Sequence, residues 1–153
     1  SFLVIHFLLE AIVEISEHLS SSREENNMTK EIKVSDNGKY IIVRVNEDMT
    51  RALAESLGLE AMHLGSRKNI NKYLYDLRNS RNKESINANY IFANQDLKRL
   101  EPNLSNTIAM LTSPDDKSHD FIETVLRNAG YNVRLFIVEE EAIEWLEEAS
   151  NIL

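Results

Sequence analysis

Apolar and polar residues follow two different periods along this chain, and their order predicts strands and helices in succession. Phe2 to Leu9 is an apolar run broken only by His6. Glu10, Glu14 and Glu17 then recur at helical spacing, which predicts an amphipathic N-terminal helix. Ser20 to Asn27 is polar throughout and reads as a linker. Glu31 to Val34 and Tyr40 to Val45 are β-branched segments on either side of Ser35-Asp36-Asn37-Gly38. Asn-Gly is a tight-turn signal, so an antiparallel hairpin is expected there. Ala52, Leu53, Leu57, Leu59, Ala61, Met62 and Leu64 repeat at helical spacing, which predicts a helix from Thr50 to Leu64 with Gly65 as its stop.

Lys72 to Leu77 reads as a short buried strand with Asp76 near its C-terminal end. A polar loop from Arg78 to Ser85 leads to a helix over Ile86 to Leu100, which Pro102 ends. Thr107 to Leu111 is a compact apolar strand. Ser113-Pro114-Asp115-Asp116 then carries the signals of a helix start: a capping hydroxyl, Pro at the first helical position and acids in the first turn. Phe121, Ile122, Val125, Leu126 and Ala129 form an apolar stripe up to Gly130. Val133 to Val138 is another strand, and a final helix buries Ala142, Ile143, Trp145 and Leu146.

Strands separated by helices pair in parallel through crossovers of one hand. The expected fold class is therefore α/β, with a single mixed, mostly parallel sheet, an antiparallel N-terminal hairpin and about four helices. Residues 28–153 form that domain, and residues 1–27 form the helix and linker before it. Arg23-Glu24-Glu25 can be encoded by a purine-rich run at ribosome-binding distance from Met28. Residues 1–27 thus read either as upstream sequence outside the native chain or as a genuine helix that docks or dimerises.

Composition narrows the classes. With 153 residues and 42% hydrophobic content, the chain can build a core without metals or cross-links. The absence of Cys excludes disulfides, thiolate nucleophiles and Cys-ligated metals, and fits a cytoplasmic location. The N-terminal apolar run falls short of the roughly 20 residues that a membrane span needs, and it lacks the basic flank of a signal peptide. A net charge of −8 opposes binding to nucleic acid or to an anionic bilayer. Tyr73, Tyr75, Tyr90 and Phe92 lie in a basic stretch, but their spacing assigns most of them to the core. Arg67 to Arg99 concentrates basic residues, whereas Glu139, Glu140, Glu141, Glu144, Glu147 and Glu148 make the tail acidic. Two solvated faces are one reading of that distribution, and complementary self-association, as in a homodimer, or a charged partner surface is the other.

Thr107-Ile108-Ala109-Met110-Leu111-Thr112, Val133-Arg134-Leu135-Phe136 and Ala142-Ile143-Glu144-Trp145-Leu146, together with the order of elements, resemble the STAS superfamily of anti-sigma factor antagonists. The small bacterial sporulation-protein-AA-like group looks nearest, over Met28 to Glu148. The resemblance implies a small α/β regulatory or ligand-binding module, a kind that is usually not an enzyme. In that family a strand-end Asp is followed by a loop carrying an Asp-Ser pair whose Ser is phosphorylated. Counting on from Asp76, Glu84-Ser85 occupies that place. The chain departs from the family in lacking the Gly after the serine and in the polar run Asn79 to Lys83. By resemblance Ser85 is the candidate phosphoacceptor, with Ser80 as an alternative; by its own position Ser85 reads as the cap of the helix beginning at Ile86.

The C-terminal strand ends are where open parallel sheets hold ligands. That edge is expected to gather Asp76, Arg78, Ser80, Thr112, Ser113, Asp115 and His119, which suit a small anionic ligand or serve as caps and loop solvation. Asp76, Arg78, Arg81, Glu84, Thr112, Ser113, Asp115 and His119 make up the candidate partner or ligand loop. Asp115, Asp116, His119 and Asp120 look like a metal-ligand group, but acids at a helix start stabilise its dipole, so neither a metal nor a cofactor is expected. His6, His18, His63 and His119 have no paired ligand spacing, and the phosphate-loop, dinucleotide and nucleophile-elbow motifs are absent. Two functions follow: a non-catalytic regulatory module that binds a protein partner, or a small-ligand-binding domain using the strand ends.

Overall fold

The computed structural model describes residues 2–100 and 102–148. Five strands, β1 (Lys30–Val34), β2 (Ile41–Val45), β3 (Lys72–Asp76), β4 (Thr107–Leu111) and β5 (Asn132–Phe136), form one sheet in the order β1-β2-β3-β4-β5. β1 runs antiparallel to β2, and every later pair is parallel. The hairpin closes over Ser35–Tyr40, with Gly38 at φ 74°, a conformation that an L side chain resists.

The helices are α1 (Phe2–Thr29), α2 (Arg51–Lys68), α3 (Ile86–Ile91), a π turn (Phe92–Asp96) continuing into α4 (Leu97–Arg99), α5 (Asp120–Asn128) and α6 (Glu139–Glu148). The expected α/β fold with one mixed sheet is what the chain adopts. Strand order never reverses, so crossovers of one hand deliver their helices to the same face. Ile41, Val43, Tyr73, Met110 and Val133 point to that face and pack with Leu57, Ile122 and Leu126 of α2 and α5. Leu74, Ala109, Leu111 and Phe136 alternate to the other face, where α6 covers them with Ala142 and Leu146. Trp145 stacks at a tilt on Phe136, with ring centroids 5.5 Å apart.

Four local expectations need correction. α2 does not stop at Gly65 but runs to Lys68 and ends on Asn69 in the left-handed region. Gly65 is instead where the helix meets β3: a Cβ there would lie 2.1 Å from the Tyr73 hydroxyl and 2.7 Å from the Ile70 carbonyl. Ser113-Pro114 does not start a helix either. Its hydroxyl donates to the Arg78 carbonyl at 3.1 Å, and Asp116 turns the chain by accepting from Ser118 N–H at 2.9 Å. α5 begins only at Asp120. β5 ends at Phe136, short of the Val138 expected, and α6 starts at Glu139. Lastly, the polar stretch read as a linker is helical, because α1 continues through it to Thr29. The large apolar side chains of α1 from Leu3 to Ile15 are exposed. No helix among the described residues is long and apolar enough to cross a membrane.

Candidate functional site

The loop after β3 is held from several sides. Arg81 N–H donates to Asp48 Oδ1, and its carbonyl accepts from Met49 N–H at 2.8 Å, so residues 81 and 82 lie beside the β2–α2 connection. Asn82 N–H donates to Ser118 Oγ at 2.9 Å, and the Asn82 side chain bonds Asn89 at 2.7 Å. Glu84 accepts from Arg51 N–H at 3.0 Å. This scaffold delivers Ser85 to the start of α3, where its hydroxyl accepts from Ala88 N–H at 3.1 Å. Ser85 is exposed. Its neighbours Ile86 and Tyr90, one turn apart, are 71% and 55% exposed. Lys83 pairs with Asp48 at 2.9 Å.

Asp76 belongs to a different arrangement. Register pairs Glu31 with Arg44 and Arg44 with Asp76, and the side chains continue the pattern across the sheet edge. Arg44 contacts Glu31 at 3.0 Å and Asp76 at 3.2 Å, and Arg78 contacts Asp76 at 2.8 Å and Glu139 of α6 at 3.6 Å. Burial pushes the Asp76 carboxyl up, but hydrogen bonds from Arg78 and Arg44 outweigh it and hold the group below the ordinary carboxylate range. A carboxylate clamped by two guanidiniums is a poor general base.

The remaining strand-end residues divide between surface and interior. Arg78, Ser80, Arg81, Ser113 and Asp115 meet around a hollow of about 280 Å³, with Asp48, Asn79 and Asp116. His119 and Thr112 lie inward of it and are buried. His119 Nε2 sits 2.7 Å from the Ser80 carbonyl, which can only accept, so that nitrogen carries the proton. The Ser80 and Thr112 hydroxyls are buried without a hydrogen-bond partner. Asp116, buried, is pushed up by burial but held below its ordinary value by hydrogen bonds from Ser118. Among the described residues, no group of three or more His, Cys, Asp or Glu side chains is placed to hold a metal.

Asp48, Asn82 and Asn89 were not singled out by sequence. Asp48 follows β2 at the same sheet edge, so extending the strand-end rule to every parallel strand would have included it. Asn82 and Asn89 carry no local signal, since their partnership spans a loop and a helix turn. Comparison with known proteins adds no identity: no family model matches the chain, and no curated protein matches it.

Proposed function

We propose that this protein is a non-catalytic regulatory module that docks a protein partner through the 78–86 loop and the exposed side of α3, switched by phosphorylation of Ser85. The observation that carries the reading is the exposed Ser85 hydroxyl beside exposed Ile86 and Tyr90. An apolar pair at i, i+4 offers a partner a small hydrophobic anchor, and a serine at its edge is where an added charge acts on the contact. A phosphoryl group brings about two negative charges next to the Glu84 carboxylate that holds Arg51 N–H, which strains the link between the loop and α2. The sequence's resemblance to the anti-sigma factor antagonists, in which Glu84-Ser85 stands where that family has an Asp-Ser pair, supports the same reading. The Ser85 hydroxyl accepts from Ala88 N–H and Glu84 accepts from Arg51 N–H, which supports a capping rather than a nucleophilic serine in the unmodified chain.

A photo-crosslinking residue placed at Tyr90, with a control at exposed Glu144, tests the reading in cells of the native host, alongside mass mapping of Ser85. A discrete adduct from position 90 alone, altered by Ser85→Asp, is expected. Equal adducts from both positions, or indifference to Ser85→Asp, would overturn it.

A second reading, a small anion held at the strand ends, is favoured by the orphaned Ser80 hydroxyl lining the hollow beside Arg78 and Arg81. It predicts an anion that co-purifies and is lost on Arg81→Gln.

A further inference from the structure

The sheet and its covering helices do not close completely. Between α2, the α3–α4 stretch and α5, over β3 and β4, lies a cavity of about 120 Å³. Leu57, Phe92, Ile108, Met110, Ile122 and Leu126 form its apolar walls. Two features leave this space open. Gly58 faces the cavity, yet a Cβ there would meet only Leu100 Cδ1, at an ordinary 3.6 Å, so packing does not demand a glycine. On the other side the π turn from Phe92 widens the helix, and such turns inside helices concentrate at functional sites.

Most of the polar groups that line it have partners, His119 Nε2 at the Ser80 carbonyl among them, and the Tyr75 hydroxyl is the uncharged exception. Asn89 bonds Asn82 and the carbonyls of Glu84 and Ser85, Arg51 holds Asp96, and Glu84 holds Arg51 N–H. Water needs two to four polar partners to occupy a cavity, and a dry apolar cavity of ~150 Å³ takes up benzene. Hydrophobic walls whose charged neighbours, Arg51 and Glu84, are already engaged select against a charged ligand.

We propose that this cavity is a binding site for a small uncharged apolar molecule, a single aromatic ring or a short hydrocarbon chain. Entry is beside Thr50, Glu84 and Ala88, which line the cavity. Glu84 precedes Ser85 and Ala88 N–H donates to its hydroxyl, so occupancy braces the loop that presents it. The inference does not rest on the phosphorylation reading and stands or falls separately.

Toluene is the probe, added to the full chain at saturation. Thermal unfolding is expected to rise by about 3 °C or more, with methyl NMR shifts confined to cavity-lining residues such as Leu57, Met110 and Ile122. Ala54→Met fills the space from α2, and Ala88→Leu fills it from α3; either is expected to abolish both effects. The near-ultraviolet signal of Trp145, on the opposite face of the sheet, reports whether each variant is folded. If a variant unfolds, xenon-derivatised crystals of the unaltered chain decide, with xenon expected between Leu57 and Met110. No midpoint rise and no confined methyl shifts, shifts that survive in a folded filled variant, or a cavity without xenon would overturn the proposal.

Discussion

Arg51, in the first turn of α2, holds the fully buried carboxylate of Asp96, the last residue of the π turn, through both its Nε and Nη2 atoms. Arg99 contacts the same carboxylate. Hydrogen bonding from Arg51 is the chief reason the Asp96 carboxyl stays below its ordinary value, and Arg99 adds to it. The pair fastens the irregular helix to α2. Arg51→Ala leaves Asp96 buried with Arg99 alone and is expected to cost about 2 kcal/mol, measured by urea unfolding at neutral pH.

The same lowered carboxyls fix the direction of acid sensitivity. Asp76 and Asp96 both ionise more readily in the folded chain than in the unfolded one. Their stabilisation is complete above the unfolded value of about 4 and is lost as pH falls from there through the folded values. Unfolding free energy should drop steeply below about pH 4, and Asp96→Asn should flatten that slope while lowering stability at pH 7. An unchanged slope would show that other groups govern the acid limit.

Gly58 and Gly65 lie about two turns apart on one helix and should respond oppositely to the same substitution. Gly58→Ala makes only an ordinary contact with Leu100 and is expected to stabilise by about 0.5–1 kcal/mol through the reduced freedom of the unfolded chain. Gly65→Ala drives a methyl group into the Tyr73 hydroxyl and the Ile70 carbonyl, and about 1–3 kcal/mol should be lost. Thermal midpoints of the two variants check both signs.

These positions show what a sequence reveals and what it hides. Thr50, Ser85 and Gly130 act through their immediate neighbours, so their capping and stopping roles are legible from local residues. Gly65 has the look of a stop, but its meaning comes from Tyr73, which reaches it only after β3 packs under α2. Ser113-Pro114 likewise carries every local mark of a helix start, and a tertiary hydrogen bond to Arg78 overrides them. The placement of Ser85 followed from counting along the loop. Its scaffold of Asp48, Asn82 and Ser118 did not, because those contacts join segments far apart in the chain.

Ser85 separates structural from regulatory effects by substitution. Ser85→Ala removes the acceptor for Ala88 N–H and should cost about 1 kcal/mol, whereas Ser85→Asp keeps a capping oxygen and should be nearly neutral. Equal losses from both, measured by chemical denaturation, would show that the hydroxyl has a contact beyond the cap.

Deleting residues 1–27 should leave the thermal midpoint of the rest unchanged, since the described large apolar side chains of α1 are turned to solvent. Differential scanning calorimetry of the shortened chain makes the comparison.

Because each strand pairs with the one synthesised just before it, the sheet can be laid down in order as the chain leaves the ribosome. No strand waits for a distant partner, which keeps loop-closure entropy low. The exception is the far face. Tyr40, Leu74, Ala109 and Leu111 stay uncovered until α6 emerges after the whole sheet, so a nascent chain stalled before Glu139 exposes an apolar sheet surface of the kind that chaperones recognise.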